Sequence, residues 1–261
     1  MSQAWKRPRF DLLEVLLLLA LVGLAVWSAQ QSRVDTLLAE LDSGRPASIE
    51  LAALAKKYGP NRNSENEEEW IIRDFFADRH GGVFIDVGAN DYKRFSNTYY
   101  LETELGWSGV AVEPQREFQA GYTKHRSRTR FVSFFVSDVS NAEATLYVQR
   151  NNSLVTSADK TFNERFGGTP KDFTVPTITL DDLLDQLKIE SFDFLTMDIE
   201  LWEPKALAGF SIQRFRPALV CVEAHPEVRQ QILDYFVARG YTLVGKYLRA
   251  DTHNLYFMPR A

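Results

Sequence analysis

Cysteine is nearly absent from this chain, and its absence excludes several kinds of site. The 261 residues include a single cysteine, Cys221. An internal disulfide framework and a cysteine-rich zinc site are therefore excluded. Cys221 lies within the apolar run Ala218–Val222, so we interpret it as a small buried hydrophobic side chain. The four histidines show no metal-ligand spacing, and from spacing we predict no metal site.

A surplus of positive charge is also missing. The chain has a formal net charge of -5 and a pI near 5.5. A general nucleic-acid binder needs basic side chains to displace the counterions of phosphates, so we predict no nucleic-acid partner. Hydrophobic residues make up 45% of the chain and charged residues 25%, which are ordinary globular values. The length suits one α/β domain with an appendage, or two small domains.

The longest apolar run lies near the N-terminus, from Leu12 to Trp27, and only Glu14 interrupts it. The stretch 12–29 is close to the roughly 20 residues that a helix needs to cross a bilayer. Trp5 and Trp27 flank it, as is typical of membrane interfaces. A membrane anchor, a cleaved signal peptide and a buried core helix all fit such a run. The lack of a convincing small-residue cleavage site favours an uncleaved, single-pass anchor.

Basic residues before the run predict its orientation. Lys6, Arg7 and Arg9 precede it, whereas the first positive residue after it is Arg33. The positive-inside rule therefore places the N-terminus in the cytoplasm. The polar, turn-rich stretch Gly59–Asn66 reads as a linker. We predict a basic tail over residues 1–11, a transmembrane helix over 12–29, a helical stalk and linker over 30–66, and an α/β domain over 67–261.

The α/β domain is organised around the run Val83–Val87, whose β-branched and aromatic residues predict a buried strand. The strand leads into Gly88, and a helix pattern begins near Asn97. A strand, a glycine turn and a helix are typical of the first unit of an open α/β sheet. In such sheets, ligands bind beyond the carboxyl ends of the strands. Gly88 would let the backbone approach a ligand, and Asp86 and Asn90 would supply polar groups. An ordinary βα turn with a capping asparagine fits the same residues.

The next two strands also end on acids. Gly109–Pro114 carries Glu113 at its tip, where α/β nucleotide folds bind ribose hydroxyls. The full G-x-G-x-x-G spacing is missing, which disfavours a nicotinamide or nucleotide-sugar enzyme and favours an adenosine without a pyrophosphate. S-adenosylmethionine is such a ligand. A third strand, Arg130–Val136, ends near Asp138, which suits the adenine amino group or merely caps the following turn.

Two later strands carry further acids and a histidine. Phe192–Glu200 is a buried strand whose end holds Asp198 and Glu200, on the same side if the chain is extended. Two like charges there cost free energy unless they meet a metal, a proton or a cationic substrate. Ala218–Glu223 is another buried strand, followed by His225. His225 is a candidate general base, and a capping role at the next helix fits it equally.

The order of the elements predicts the fold. Strand patterns at Ala144–Arg150 and Phe173–Thr179 enclose residues Asn151–Gly168, which we predict to be a lid or substrate loop. The last two strands, Tyr241–Gly245 and Asn254–Met258, are close in sequence and suit an antiparallel hairpin. We therefore predict an α/β fold of the class I methyltransferase type: a Rossmann-like, mostly parallel seven-stranded sheet, preceded by an N-terminal transmembrane helix.

Several motifs in order resemble the FkbM-type methyltransferases, over about Glu69–Met258. They are Phe84–Asp91, Ser96–Thr98, Leu105–Gly109, Val112–Pro114 and Phe192–Glu200. The resemblance implies dependence on S-adenosylmethionine and methylation of a hydroxyl oxygen of a sugar, glycan or secondary metabolite. Cells make this cofactor in the cytosol, so dependence on it conflicts with a catalytic domain outside the cytoplasm. We therefore do not assign the domain to one side of the membrane.

The resemblance also implies roles for individual residues. The methionine part of the cofactor would be held by Asp86, Gly88 and Asn90, the ribose by Glu113 and the adenine by Asp138, while Asp198 and Glu200 would face the methyl group and the acceptor. The chain departs from the family pattern where Leu201–Trp202 replaces a glycine, and where Tyr92–Arg94 replaces a small residue after Asp91.

Two mechanisms remain open at this point. Asp198, Glu200 or His225 would accept the proton of the acceptor hydroxyl, or Asp198, Glu200 and Glu223 would hold a divalent cation that acidifies it. A catalytically silent family member that binds a glycan or a membrane-protein cargo is the alternative function. The sequence predicts a small-molecule or glycan acceptor and a membrane contact through residues 12–29. It does not indicate how many copies of the chain associate.

Overall fold

A computed structural model of the chain describes residues 49–149, 152–166 and 170–260. The predicted basic tail (1–11), the transmembrane helix (12–29) and the first part of the stalk (30–48) lie outside the described residues. Within those three ranges, no helix combines the length and the apolar character needed to cross a bilayer.

The described elements follow the predicted alternation of strands and helices, with an additional strand (Asn152–Ser157), two additional short helices (Lys160–Glu164 and Ile212–Phe215) and a third strand that is divided in two. In chain order they are α1 (Ile49–Tyr58), α2 (Glu68–Phe76), β1 (Val83–Val87), α3 (Tyr99–Thr103), β2 (Ser108–Val112), α4 (Gln119–His125), β3 (Thr129–Val132), β4 (Phe135–Val136), β5 (Glu143–Gln149), β6 (Asn152–Ser157), α5 (Lys160–Glu164), β7 (Lys171–Ile178), α6 (Leu180–Leu187), β8 (Phe194–Met197), α7 (Glu203–Ala208), α8 (Ile212–Phe215), β9 (Leu219–Glu223), α9 (Arg229–Ala238), β10 (Tyr241–Leu243) and β11 (Asn254–Pro259), with short 3₁₀ turns at Arg116–Phe118 and Gly245–Tyr247.

In the described part of the chain, seven strands form the main sheet in the order β10-β11-β9-β8-β1-β2-β3. The five strands from β9 to β3 are parallel, and β11 runs antiparallel to both β9 and β10. Parallel strands covered on both faces read as continuous apolar runs, and every residue of β8 is buried. The predicted Rossmann-like sheet of the class I methyltransferase type, with its terminal hairpin, is confirmed.

Helix α1 packs onto the domain core, although the sequence analysis placed it in the stalk. Leu54 is buried in a cluster that includes Trp70 and Ile71 of α2. Further along, Ser64 forms an isolated bridge with Phe95. Among the described residues, the core of the domain therefore includes α1, which precedes the predicted start of the domain at residue 67. Burial of the apolar face of a short helix outweighs the polar, turn-rich composition that follows it.

The predicted third strand, 130–136, is two strands in different sheets. β3 pairs with β2 in the main sheet, whereas β4 pairs with β7 in a second sheet of order β4-β7-β5-β6. The intervening Ser133 donates a hydrogen bond to the Pro114 carbonyl at 3.0 Å, and the chain changes sheets there. The apolar pattern of 130–136 is continuous because both strands are half covered or buried, so periodicity alone does not reveal the break.

The predicted strands within the insertion are confirmed as β5 and β7, which pair antiparallel. The predicted loop 151–168 contains β6, paired with β5, and helix α5. Asp159 caps α5 by accepting hydrogen bonds from the backbone N–H groups of Thr161 and Phe162. Residues 150–151 and 167–169 lie outside the described ranges.

Candidate active site

A cavity of about 360 Å³ lies at the carboxyl ends of β1, β8 and β9. The strand order reverses at β1, which has β2 on one side and β8 on the other. This is where open α/β sheets bind their ligands. The cavity is lined by residues of the predicted site, namely Asp86, Gly88, Asn90, Asp198, Glu200 and His225, together with Glu223 and others. Parallel strands bring residues that are far apart in sequence to one edge of the sheet.

Asp86 is a buried acid with a fixed hydrogen bond. Its Oδ2 accepts from the Thr98 hydroxyl at 2.7 Å, and the residue is 5% exposed. Burial raises the pKa of Asp86 to about 6, although the Thr98 hydroxyl and the Arg126 guanidinium oppose the shift. Thr98, which the sequence analysis noted only within a motif, is therefore what orients this carboxylate.

Gly88 is required by the protein's own backbone. Its φ is +83°, and a Cβ at this position would lie 1.8 Å from the carbonyl oxygen of Asp198. The sequence interpretation was that Gly88 makes room for a ligand. The structure shows that it makes room for the end of β8, because the chains leaving β1 and β8 meet just beyond the sheet. The glycine still lines the cavity.

Asn90 and Glu113 form one hydrogen-bonded turn. Asn90 has φ +46°, a left-handed conformation that asparagine tolerates better than most residues. Its backbone N–H donates to Glu113 Oε2 at 3.0 Å, and the Gln115 N–H donates to Oε1 at 2.8 Å. Burial raises the pKa of Glu113 to about 7 against these two N–H groups. Glu113 thus lies at the tip of β2, as predicted, behind the turn that borders the cavity.

Asp138 is not among the residues that line this cavity. Its carboxylate accepts hydrogen bonds from the Ser137 hydroxyl and, at 3.2 Å, from Lys205 Nζ. The structure therefore does not place Asp138 with Asp86, Gly88 and Asn90, and Glu113 is likewise absent from the lining, behind the Asn90 turn. For Asp138 the reason is the change of sheet at Ser133, since the strand before Asp138 belongs to the second sheet.

His225 lies between two carboxylates. Its Nε2 is 3.2 Å from Glu200 Oε2 and 3.2 Å from Glu223 Oε2, with hydrogen-bond geometry only toward Glu200. The neighbouring carboxylates, first Glu200 and then Glu223, raise the pKa of His225 to about 10. An imidazole that is already protonated at neutral pH cannot accept a proton, so the geometry argues against His225 as a general base. It makes His225 the donor that holds Glu200 in place.

Asp198 and Glu203 complete a cluster of acids at the ends of β8 and β9. Loss of hydration to the surrounding protein, together with repulsion from Glu223 and Glu200, raises the pKa of Asp198 well above its ordinary value. Because Asp198 is open to solvent through the cavity, we give the repulsion the greater weight. Burial and then Glu223 raise the pKa of Glu203 to about 8.

Sequence analysis assigned no role to Glu203. The residue begins helix α7 and precedes Pro204, so it reads as an ordinary acid in a first helical turn. The structure buries it completely, with Oε1 accepting from the Ile199 N–H at 2.9 Å. The spacing of Asp198, Glu200 and Glu203 was the available signal, because it places three acids within six residues of one strand tip.

A model of the methyltransferase FkbM domain matches residues 86–243, which is more than half of the 261-residue chain. The chain belongs to the FkbM methyltransferase family. It is accordingly an S-adenosylmethionine-dependent methyltransferase, with the class I fold expected of one. The residues fit this cofactor, because the matched range holds the acid and glycine of β1, the acid of β2 and an acidic cavity suited to a positive sulfonium.

Solved structures of other methyltransferases are similar to this FkbM-family chain at low identity. A TehB-like S-adenosylmethionine-dependent methyltransferase from Corynebacterium glutamicum is 12% identical, with a TM-score of 0.43 over 80% of this chain and 94% of that one. An O-methyltransferase from Bacillus cereus in complex with S-adenosylhomocysteine is 12% identical, with a TM-score of 0.40 over 86% and 96%. No curated protein matches the chain. Similarities at this level indicate nothing about the acceptor.

The first departure from the FkbM pattern is built into the second sheet. Leu201 stands where a glycine is usual and has φ +75°, and Glu200 has φ +56°. Both conformations favour glycine. Trp202 packs its ring 5.7 Å from that of Phe135, and its Nε1 donates to Ser137 Oγ at 3.3 Å. The loop after β8 is thus held in a strained conformation by contacts that the second sheet supplies.

The second departure, Tyr92–Arg94, is also held by the domain. Tyr92 stacks on His125 with ring centroids 4.6 Å apart. Asp91 Oδ1 accepts hydrogen bonds from the backbone N–H groups of Lys93 and Arg94. This segment of the FkbM-family chain is therefore ordered without a small residue, and it does not obstruct the cavity, whose lining begins again at Phe95.

Proposed function

We propose that this chain transfers a methyl group from S-adenosylmethionine to a hydroxyl oxygen of an uncharged small molecule or glycan. The observation that carries the proposal is the charge of the cavity lining. Acidic side chains line it, and no lysine or arginine does so among the described residues; the acids are Glu65, Glu68, Asp86, Asp198, Glu200 and Glu223. This lining attracts a positive methyl donor and repels phosphorylated or carboxylated acceptors. The choice of oxygen rests on the family resemblance.

The residues at the tips of β1 and β2 are proposed to hold the cofactor. Asp86, Gly88 and Asn90 would hold its methionine portion, and Glu113 its ribose. Thr98 keeps the Asp86 carboxylate in position. When bound, the cofactor supplies an electrophilic methyl group on a positively charged sulfur. We do not include Asp138 in this set, because its carboxylate is paired with Lys205.

Methyl transfer requires the acceptor oxygen to lie in line with the bond between sulfur and methyl, at near-attack distance. The new C–O bond forms as the C–S bond breaks, and the hydroxyl proton must go to a base. Glu200 is the base that we propose, because it lines the cavity and is oriented by His225 at 3.2 Å. His225 keeps its own proton and positions Glu200.

We also propose that residues 12–29 anchor the chain to a membrane as a single-pass helix. The apolar run, which only Glu14 interrupts before Trp27, and the flanking tryptophans support this. A hydroxylated lipid or glycan at the membrane surface would then be within reach. The side of the membrane on which the domain lies is left to experiment.

The test is a calorimetric titration of the full-length chain, in detergent, with S-adenosylmethionine. The wild type is expected to bind with micromolar affinity, and Asp86→Asn to bind about tenfold or more weakly, since the variant keeps an acceptor for Thr98 but loses the charge. Asp185→Asn is the matched control, because that acid pairs with Arg214 on an exposed surface. A folded wild type that binds no cofactor contradicts the proposal and favours a catalytically silent protein that binds a glycan or cargo.

Transfer of a labelled methyl group then identifies the acceptor. Neutral polyols and glycans are expected to accept it, and their phosphorylated derivatives are not. With an active acceptor, Glu200→Gln should lower kcat by about 100-fold to 10,000-fold with little change in cofactor affinity. An unchanged kcat in Glu200→Gln would exclude this residue as the base.

A further inference from the structure

Three carboxylates converge at the ends of β8 and β9. Asp198 follows β8, Glu223 ends β9 and Glu203 begins α7. The pairing of Met197 with Val222 in the sheet brings Asp198 beside Glu223. One carboxylate oxygen of each of the three residues lies within 4.8 Å of one oxygen of the other two. Three separate elements thus direct acids to one point.

Glu203 provides an independent sign that this point receives a ligand. The residue is 0% exposed. Its Oε1 accepts from the Ile199 N–H, whereas its Oε2 is buried and has no hydrogen-bond partner among the described residues. A buried carboxylate oxygen without a partner is costly in free energy, so such groups are normally paired or coordinate a metal.

The positive charge nearby does not satisfy all of these acids. His225 lies at 3.2 Å from Glu200 and from Glu223, but none of the described ion pairs involves Glu203. No lysine or arginine lines the cavity among the described residues. His225 also points its Nε2 at two carboxylates, so that nitrogen is engaged as a donor and is a poor metal ligand. Protons on these acids or a cation that enters from outside must therefore balance their charge.

We propose that Asp198, Glu203 and Glu223 bind a hard divalent cation. Oxygen-only ligands select Mg²⁺, Mn²⁺ or Ca²⁺ over softer ions. Two ligands on opposite sides of Ca²⁺ stand about 4.6–5.2 Å apart, twice the usual bond length, so oxygens that all lie within 4.8 Å of one another can reach a shared ion. Mg²⁺, with its shorter bonds, would draw the three acids slightly closer.

The cation would have open coordination positions on its cavity side. Asp198 and Glu223 line the cavity, whereas Glu203 is fully buried. Water or the acceptor hydroxyl would fill these positions, and the cation would lower the pKa of that hydroxyl before Glu200 takes the proton. This use of the cation rests on the proposed methyl transfer. Binding of the cation does not, and can be measured by itself.

The experiment measures Mn²⁺ binding to the full-length chain in detergent, after removal of metals with EDTA and without cofactor. Electron paramagnetic resonance of free Mn²⁺ gives the affinity, and thermal melting with Mn²⁺, Mg²⁺ or Ca²⁺ gives an independent readout. The wild type is expected to show one saturable class of site and a rise in Tm. Glu203→Gln keeps an acceptor for the Ile199 N–H and should bind Mn²⁺ about tenfold or more weakly. Without metal, its Tm should be higher than that of the wild type.

Glu68→Gln is the matched control. Glu68 is a buried acid of the same cavity, but its oxygens accept hydrogen bonds from the Asn66 N–H and the Asn254 side chain. This variant should bind Mn²⁺ within about twofold of the wild type. Asp198→Asn changes the acid that is exposed to the cavity, and it should weaken Mn²⁺ binding as Glu203→Gln does. This variant replaces Glu203→Gln in the test if Glu203→Gln fails to fold.

Two results would overturn the site. One is a wild type with no saturable response to any of the three ions. The other is an equal loss in Glu68→Gln and Glu203→Gln, which would mean that the ions respond only to the general acidity of the cavity. Cofactor titration of the same sample in EDTA separates these failures from a failure of the proposed function.

Discussion

At the scale of single residues, the absence of a side chain at Gly88 allows the close backbone contact that shapes the cavity. A Cβ there would overlap the Asp198 carbonyl oxygen at 1.8 Å, in a backbone conformation of φ +83°. The clash involves backbone on both sides, so neither partner can move without disturbing β1 or β8. The same contact fixes where Asp198 presents its carboxylate.

We therefore expect Gly88→Ala to lower the free energy of unfolding by at least about 2 kcal/mol and to weaken cofactor binding. Chemical denaturation and calorimetry measure the two effects. Gly245→Ala is the control, because nothing lies within 4 Å of a Cβ at that position. It should change stability by less than about 1 kcal/mol. Equal effects of the two substitutions would contradict the importance of the Gly88 contact.

Glu68 shows how a buried acid makes stability depend on pH. Burial, and then the charge of Asp251, raises the pKa of Glu68 to about 7 from an ordinary value of 4.5. Below pH 4.5 the folded and unfolded forms both hold this proton. As the pH rises from 4.5 through 7, the unfolded chain releases the proton first, so the stability that this group contributes is lost over that window.

Glu68→Gln should remove this loss. Relative to the wild type, the variant should gain stability between pH 4.5 and 8, by an amount on the order of 1–3 kcal/mol. Urea unfolding at pH 5 and pH 8 gives the difference. Glu164→Gln, an exposed acid beside Lys160, should show almost no such dependence. A parallel pH dependence of wild type and Glu68→Gln would mean that the pKa of Glu68 is the same in the folded and unfolded chains.

At the scale of elements, the buried ion pair between Arg126 and Glu102 joins α3, the end of α4 and β3. Arg126 Nε donates to Glu102 at 2.5 Å, and its other nitrogens donate to the Tyr92 carbonyl, to Thr98 and to Thr129. Glu102 also accepts from the Thr129 hydroxyl. Through Thr98, this network reaches the Asp86 carboxylate, so the packing of two helices is connected to the proposed cofactor site.

We expect Arg126→Met to destabilise the fold by about 3–5 kcal/mol, because it leaves the Glu102 carboxylate buried and unpaired. Cofactor binding should weaken as well, since Thr98 loses its support. Arg214→Met removes a comparable charge from an exposed pair with Asp185, and it should change stability far less, because solvent screens that pair. Denaturation of both variants provides the comparison. A similar small cost for both would show that the buried network does not hold these elements together.

Elements also explain how the second sheet bears on the site. Because the chain leaves the main sheet after β3, Trp202 can pack on Phe135 and fix the strained loop that follows β8. The same departure carries Asp138 away from the cavity toward Lys205. One change of sheet therefore supports Glu200 and leaves Asp138 paired with Lys205 outside the cavity lining.

At the scale of the whole molecule, the described domain and the apolar N-terminal run have separate roles in our proposal. The full-length chain is expected to remain with membranes after extraction with alkaline carbonate. A chain from which residues 12–29 are deleted should be released into the soluble fraction and should still bind S-adenosylmethionine. Protease protection of intact cells or vesicles then locates the domain. Release of the full-length chain by carbonate would contradict the anchor.

Local patterns in the sequence were enough to predict the sheet and three of its functional tips. Buried parallel strands appear as apolar runs, and the polar residues that end them must meet at one edge, so Asp86, Glu113 and Asp198 could be placed without coordinates. The terminal hairpin followed in the same way. These features depend on residues that are close in sequence.

Tertiary structure alone decided the features that depend on contacts between distant residues. Glu203 resembles any acid at a helix start until β9 places Glu223 beside it, and His225 resembles a base until Glu200 and Glu223 surround it. Likewise, no local period shows that 130–136 divides between two sheets, or that α1 packs on α2. Charge, burial and pKa are properties of the assembled surroundings, and a sequence lists those surroundings without bringing them together.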